Sequence, residues 1–196
     1  VIRGLYGIAD ADFGDPVALA LQLLEGGVET LQVRCKKWSA SQVGDVLQEI
    51  APLCAAQGCL LLVNDHLELA PLAGGLHLGQ EDGAVLRADL PPGALLGRST
   101  HDEAQIQAAL VEGVDYIGFG PVFGSRTKAT GYSPRGLLAL QSAVEAAGNT
   151  PVVAIGGITE ENLPDVRQSG VQAWAPISAL LGQGDIVAAT RRFRMT

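Results

Sequence analysis

Eight short apolar runs alternate along this chain with longer amphipathic stretches, and few folds admit that order. The runs fall at residues 5–8, 30–34, 59–63, 76–78, 95–98, 116–119, 152–155 and 173–175, the last one weak. Helical stretches are predicted at 16–25, 39–57, 66–72, 84–89, 102–112, 134–147, 160–169 and 186–194. Asp15 is placed to cap the first helix with Pro16 at its first turn, and Gly26-Gly27 stops it. Gly58 ends the second. Strand and helix in strict alternation, with short helix-to-strand links, make a parallel α/β architecture. Eight units favour a single (β/α)8 TIM barrel with parallel strands, one domain over residues 1–196. That length sits just under the usual barrel size of roughly 200 residues or more. An open doubly wound sheet is the competitor. It is weakened because no GxGxxG follows the first strand.

A parallel barrel places its active site at the C-terminal ends of the strands. The residues just past each run therefore form one rim, whatever the chemistry. They are Asp10; Gln32, Arg34, Lys36 and Lys37; Asn64, Asp65 and His66; His77, Gln80, Glu81 and Asp82; Ser99, Thr100 and His101; Ser125, Arg126, Thr127 and Lys128; Gly156 and Gly157; and Ser178. Every lysine and every histidine of the chain is in that set. A merely solvated surface would scatter them.

The net charge of −8 argues against general nucleic-acid binding, which needs a basic face. It does not argue against a small anionic substrate, because local placement decides that. No apolar run approaches the roughly 20 residues of a membrane span, and no basic-then-apolar leader opens the chain. The expectation is a soluble, cytoplasmic protein with small-molecule substrates, no nucleic-acid or membrane partner, and a homo-oligomer left open. The three cysteines, Cys35, Cys54 and Cys59, include no CxxC pair, so neither a disulfide framework nor a zinc site is indicated.

Alternation sends Gln32, Arg34 and Lys36 toward the barrel mouth and Cys35 away from it. Two cations and an amide suit a diphosphate next to a polar ring. A rim cluster paired with carboxylates is the plainer alternative. Asp65 and Asp82 end neighbouring strands, so their carboxylates converge. Few protein ligands, all oxygen, is the Mg²⁺ style of binding, whereas zinc would favour His and Cys. An N-cap role is the alternative for Asp82. Glu68 and Glu81 read as surface residues, His66 as exposed, and His77 as pocket-lining. Residues 120–128 form a Gly- and hydroxyl-rich loop with Lys128 at its end, and Gly156-Gly157 and Ile177-Ser178 follow strands seven and eight. Loops after the last two strands commonly hold a phosphate in such barrels.

These motifs resemble the thiamin phosphate synthases. The matching stretches are LQVRCK (31–36), VNDHLELA (63–70), LHLGQED (76–82), GRSTH (97–101), DYIGFGPVFGSRTK (115–128), VVAIGGI (152–158) and ISAL (177–180). They occur in family order over nearly the whole chain. The resemblance implies a transferase joining 4-amino-2-methyl-5-hydroxymethylpyrimidine diphosphate to a thiazole phosphate, with Mg²⁺, releasing diphosphate. It implies that Gln32, Arg34, Lys36, Asn64, Ser99 and Lys128 hold the pyrimidine diphosphate, and that Asp65 and Asp82 ligate the metal. Ser125, Thr127, Gly157, Ile177 and Ser178 would cradle the thiazole phosphate. Arg34, Lys36, Ser99 and Lys128 would act on the leaving group.

Four places depart from the family pattern. Cys35 stands where an acidic residue is usual, Gly124-Ser125 replaces Pro-Thr, His66 replaces Arg or Asp, and Trp174 and Pro176 crowd strand eight. Two other readings compete. A thiazole tautomerase would use Ser99 and His101 but would not need Asp65, Asp82 and Lys128 together. A non-catalytic phosphate-binding module would fit the departures at strand eight. A Schiff-base aldolase is disfavoured because Lys36 and Lys128 sit among anion-binding groups.

Overall fold

The computed structural model describes residues 1–124 and 132–195. Eight parallel strands close into a barrel in sequence order: β1 (Gly4–Asp10), β2 (Thr30–Arg34), β3 (Leu60–Asn64), β4 (Gly75–Leu78), β5 (Leu95–Thr100), β6 (Tyr116–Phe119), β7 (Val152–Ile155) and β8 (Ala173–Ala175). β8 pairs back onto β1. Around them lie α1 (Pro16–Gly26), α2 (Ala40–Gln57), α3 (Glu103–Glu112), α4 (Gly136–Ala147), α5 (Leu163–Gln168), α6 (Ile177–Leu181) and α7 (Ile186–Met195).

The ends of the helices follow local chemistry. Asp15 accepts from the Ala18 N–H at the start of α1. Ser39 and Gln42 form a reciprocal capping box on α2. Gly27, Gly58 and Gly113 close α1, α2 and α3 in the left-handed conformation that L side chains avoid.

The short helix expected over 66–72 is a 3-10 helix, Leu67–Leu72, while the one expected over 84–89 is reduced to a single 3-10 turn, Arg87–Asp89. Pro71 interrupts the first, and the second lies in a short segment between Gly83 and the Pro91-Pro92 pair. The missing fourth helix leaves a cleft of about 520 Å³ between residues 80–87 and α3. α4 begins at Gly136 rather than 134, because the Arg135 and Gly136 N–H groups donate to Pro121 and Val122 carbonyls. α5 begins at Leu163 rather than 160, because Thr159 and Asn162 first close a turn on each other. α6 was not anticipated; it takes up Ile177 and Ser178, expected as loop residues.

Two apolar layers result. Outward-facing strand residues such as Leu31, Val63, Leu76 and Ile117 meet the helices in one large core. Inside the barrel, Ile2, Tyr6, Ile8, Leu62, Tyr116, Val153, Ala173 and Ala175 form a second. Cys35 is buried in the outer core, as its outward alternation predicts, and burial pushes its thiol up to about 11. The register pairs Asp10 with Arg34, Asn64 with His77, and Ser99 with Gly118. Those pairings bring the polar ends of β1 to β6 to one mouth.

Candidate active site

β1 and β5 run further than their apolar cores suggest, so Asp10, Ser99 and Thr100 are strand residues and not loop residues. Asp10 is buried and its Oδ2 accepts from Arg34 Nη1 at 2.7 Å. Lys36 Nζ lies 2.9 Å from Asp65 Oδ2. Both mouth cations thus rest on a carboxylate. This is the paired-cluster geometry, and an incoming anion would compete with it.

Asp65 directly follows β3 with φ +67°, the one described non-glycine residue in the left-handed region. That conformation is strained for an L residue, though short Asx side chains tolerate it best. Its N–H still donates to the His77 carbonyl on β4, so the turn is made without leaving the sheet. Its Oδ1 is buried with no hydrogen-bond partner. Asp82 stands beside it, and its Oδ2 accepts the Gly79 N–H at 2.6 Å. Burial raises the Asp65 carboxyl, and the Asp82 carboxylate adds to that against the pull of Lys36. Asp82 is also penalised by burial, but the Gly79 N–H, Asp65, Lys36 and Arg98 outweigh this and hold it low. Two adjoining carboxylates, one with an unmet oxygen, are oxygen donors of the kind a hard cation takes. Among the described residues no group of three His, Cys, Asp or Glu side chains forms a metal cage. Mg²⁺ does not require one, since it keeps several waters and uses one or two carboxylates.

The loop that carries Asp82 is held by a residue that sequence reading passed over. Arg98 on β5 is buried, and all five of its N–H groups are used. Nε and Nη2 donate to the two oxygens of Glu112. Nη1 donates to the Gly79 and Asp82 carbonyls, and Nη2 also to Gly83. The available signal was one charged residue inside an apolar strand, with parity facing away from the mouth.

Below the mouth a polar chain crosses the barrel. Gln32 Nε2 donates to the Tyr6 hydroxyl at 2.8 Å, which lies 3.1 Å from the Tyr116 hydroxyl. Tyr116 meets His77 Nδ1 at 2.8 Å, and His77 Nε2 meets Ser99 Oγ at 2.9 Å. Burial, then Arg98, lowers the His77 ring from 6.5 to about 4, so it is neutral at pH 7. An unfolded chain protonates this ring near pH 6.5 and the folded one only near 4. Stability that His77 contributes at neutral pH is therefore lost as pH falls between those values, by about 3 kcal/mol in all. In urea titrations, the advantage of the wild type over His77→Gln should shrink by that amount from pH 7 to pH 4. A constant difference would refute the assignment.

On the far side, Gly156 and Gly157 have φ +98° and +64°. A Cβ on Gly157 would sit 2.7 Å from the Gly124 carbonyl oxygen, so the glycine lets residues 123–124 pack closely. Asn64 is buried at the mouth, and Ile177 and Ser178 open α6 half-buried. His101 Nδ1 meets the Gly120 carbonyl, and its ring stacks on Tyr132 at 3.6 Å. His66 is half-buried rather than exposed, with Nδ1 3.2 Å from Glu68. Glu68 and Glu81 are exposed, as expected. Ser125, Arg126, Thr127 and Lys128 lie outside the described residues.

Fold and rim together define a (β/α)8 barrel enzyme whose polar groups gather at the C-terminal ends of its strands. Residues 5–180 match the family described as thiamine monophosphate synthase. A thiamine-phosphate synthase from Anaeromyxobacter dehalogenans is 42% identical, over 98% of this chain and 87% of its own length. One from Synechococcus sp. is 43% identical over 86% of this chain, which spans 48% of that longer protein. A solved thiamine phosphate pyrophosphorylase from Pyrococcus furiosus superposes with a TM-score of 0.89 at 31% identity, covering 98% of this chain and 94% of that one. The chain belongs to the thiamine monophosphate synthase family.

Proposed function

We infer that this chain is a transferase that joins 4-amino-2-methyl-5-hydroxymethylpyrimidine diphosphate to a thiazole phosphate, giving thiamin phosphate and diphosphate. The observation that carries the reading is the convergence of Arg34, Lys36, Asn64 and Ser99 with the Asp65–Asp82 pair at one mouth. The C–O bond to the diphosphate breaks, and its electron pair leaves with the diphosphate. The aminopyrimidine ring carries the positive charge left on the exocyclic carbon, and the thiazole nitrogen supplies the pair for the new C–N bond. No protein nucleophile is required. Arg34, Lys36 and Lys128 stabilise charge on the departing oxygens, and Gln32, Asn64, His77 and Ser99 orient the pyrimidine half. Ser125, Thr127, Gly157, Ile177 and Ser178 are assigned to the thiazole phosphate.

Asp65 and Asp82 fit a Mg²⁺ ion, because Asp65 Oδ1 is a buried acceptor with nothing to accept from. When bound, Mg²⁺ supplies charge neutralisation for the diphosphate. Substrates are small molecules, and no described helix is long and apolar enough to cross a membrane.

The test mixes purified protein with both substrates and Mg²⁺ and follows thiamin phosphate by its fluorescent oxidation product. Mg²⁺-dependent product is expected, with turnover of Asp65→Ala reduced by roughly 10²–10³-fold. Folded protein without product would overturn the assignment. Full activity of Asp65→Ala would remove the metal site alone.

A further inference from the structure

The hydroxyls of Tyr6 and Tyr116 have no part in the chemistry above, yet both lie in the barrel interior between two groups assigned to substrate. Tyr6 and Tyr116 are almost wholly buried, and so is His77. Burial raises both phenols well above their ordinary value, so each carries one proton at every working pH.

Those counts fix a direction. Gln32 donates to the Tyr6 oxygen, so the single Tyr6 proton must go to its other neighbour, the Tyr116 oxygen. Tyr116, having accepted, sends its own proton to His77 Nδ1. An imidazole whose Nδ1 accepts holds its proton on Nε2, which then donates to Ser99 Oγ. The Ser99 O–H is left free for the mouth. Running the chain the other way would strand the Tyr6 proton between a donor and a donor, buried and unmet. Gln80 donates to the Ser99 carbonyl and holds that backbone in place.

We propose that Tyr6, Tyr116 and His77 form a one-way hydrogen-bond relay that couples Gln32 to Ser99 and fixes the Ser99 hydroxyl as a donor toward substrate. Tyr6 and Tyr116 are then positioning residues for the pyrimidine half. Selection follows from the polarity: Ser99 favours an acceptor, such as a diphosphate oxygen, and disfavours a donor in the same place. This proposal rests on the assignment of Gln32 and Ser99 to substrate, but the relay itself has a readout that does not.

That readout is the His77 tautomer, measured by 15N NMR on labelled full-length protein near pH 7.5. The other two histidines are identified with His66→Gln and His101→Gln. The wild type should show His77 protonated on Nε2. In Gln32→Glu the new side chain can only accept, so the relay should reverse and move the proton to Nδ1. An Nδ1–H form in the wild type, or no change in Gln32→Glu, would overturn the relay. Should Gln32→Glu fail to fold, Tyr116→Phe serves instead. It removes the donor to Nδ1, so the single Nε2–H form should give way to a mixture, and an unmixed Nε2–H form overturns the relay.

The catalytic consequence is read separately. Tyr116→Phe should raise KM for the pyrimidine diphosphate about tenfold, the worth of one hydrogen bond. Combined with Ser99→Ala it should add little further loss, because both act through one hydroxyl. Effects that multiply would overturn the coupling. Unimpaired turnover in Ser99→Ala would instead remove Ser99 from the substrate site, whatever the tautomer shows.

Discussion

Arg98→Met should lower the free energy of unfolding by about 3–5 kcal/mol, the usual cost of stripping one partner from a buried ion pair. The side chain is 7% exposed and Glu112 14%, so water cannot replace what is removed. Methionine keeps the apolar stem but leaves the Glu112 carboxylate and the Gly79, Asp82 and Gly83 carbonyls without donors. Arg98→Lys should recover only part of the loss. A lysine keeps the charge, but its three donors on one atom cannot span Glu112 and three carbonyls in a plane. Denaturant titration of both variants measures this, and a loss under about 1 kcal/mol for Arg98→Met would contradict the accounting. The same loop presents Asp82, whose Oδ2 is fixed by the Gly79 N–H. The variants should therefore also need more Mg²⁺ for half-maximal protection against heat, a shift that general weakening of the barrel would not cause.

The barrel was legible in the sequence because its signals are local. Eight apolar runs and the Asp15, Gly26-Gly27 and Gly58 helix signals each concern a few neighbouring residues. The mouth was legible for a related reason: a parallel barrel puts every strand end on one side, so position along the chain gives Asp65, Asp82 and Ser99 a common address. What stayed hidden is pairing across the fold. Tyr6 and Tyr116 are 110 residues apart, and alternation shows that both face inward but not that their hydroxyls meet. Arg98 faces outward by the same rule, which gives no hint of the carbonyls it gathers from the next loop. Pairing of the mouth cations with carboxylates is one of two readings the sequence leaves open, but not which partner each takes; Lys36 lies 2.9 Å from Asp65, because opposite charges at one mouth find each other first. The absent fourth helix was missed because residues 84–89 have helical composition, and the break comes from flanking Gly83 and Pro91-Pro92.

Gly97→Ala should be a severely damaging single-methyl change, costing about 3 kcal/mol, the upper end for an overpacked core. A Cβ at this position would lie 2.0 Å from Tyr116 Cζ and 2.4 Å from its hydroxyl oxygen. Gly97 pairs directly with Tyr116 across β5 and β6, so the glycine is the space into which the ring folds. The ring has no free direction of retreat. It is fully buried, lies 6.3 Å from Tyr6 and 5.5 Å from His77, and is hydrogen-bonded to both. Moving it would break the chain that ends on Ser99, so stability should fall and KM for the pyrimidine diphosphate should rise together. Tyr116→Val in the Gly97→Ala background tests the cause. Removing the ring should restore much of the stability but leave KM for the pyrimidine diphosphate raised about tenfold, because the clash is relieved while the hydroxyl is now gone. A Gly97→Ala protein within about 1 kcal/mol of wild type would show that the barrel interior yields more than a close-packed core should.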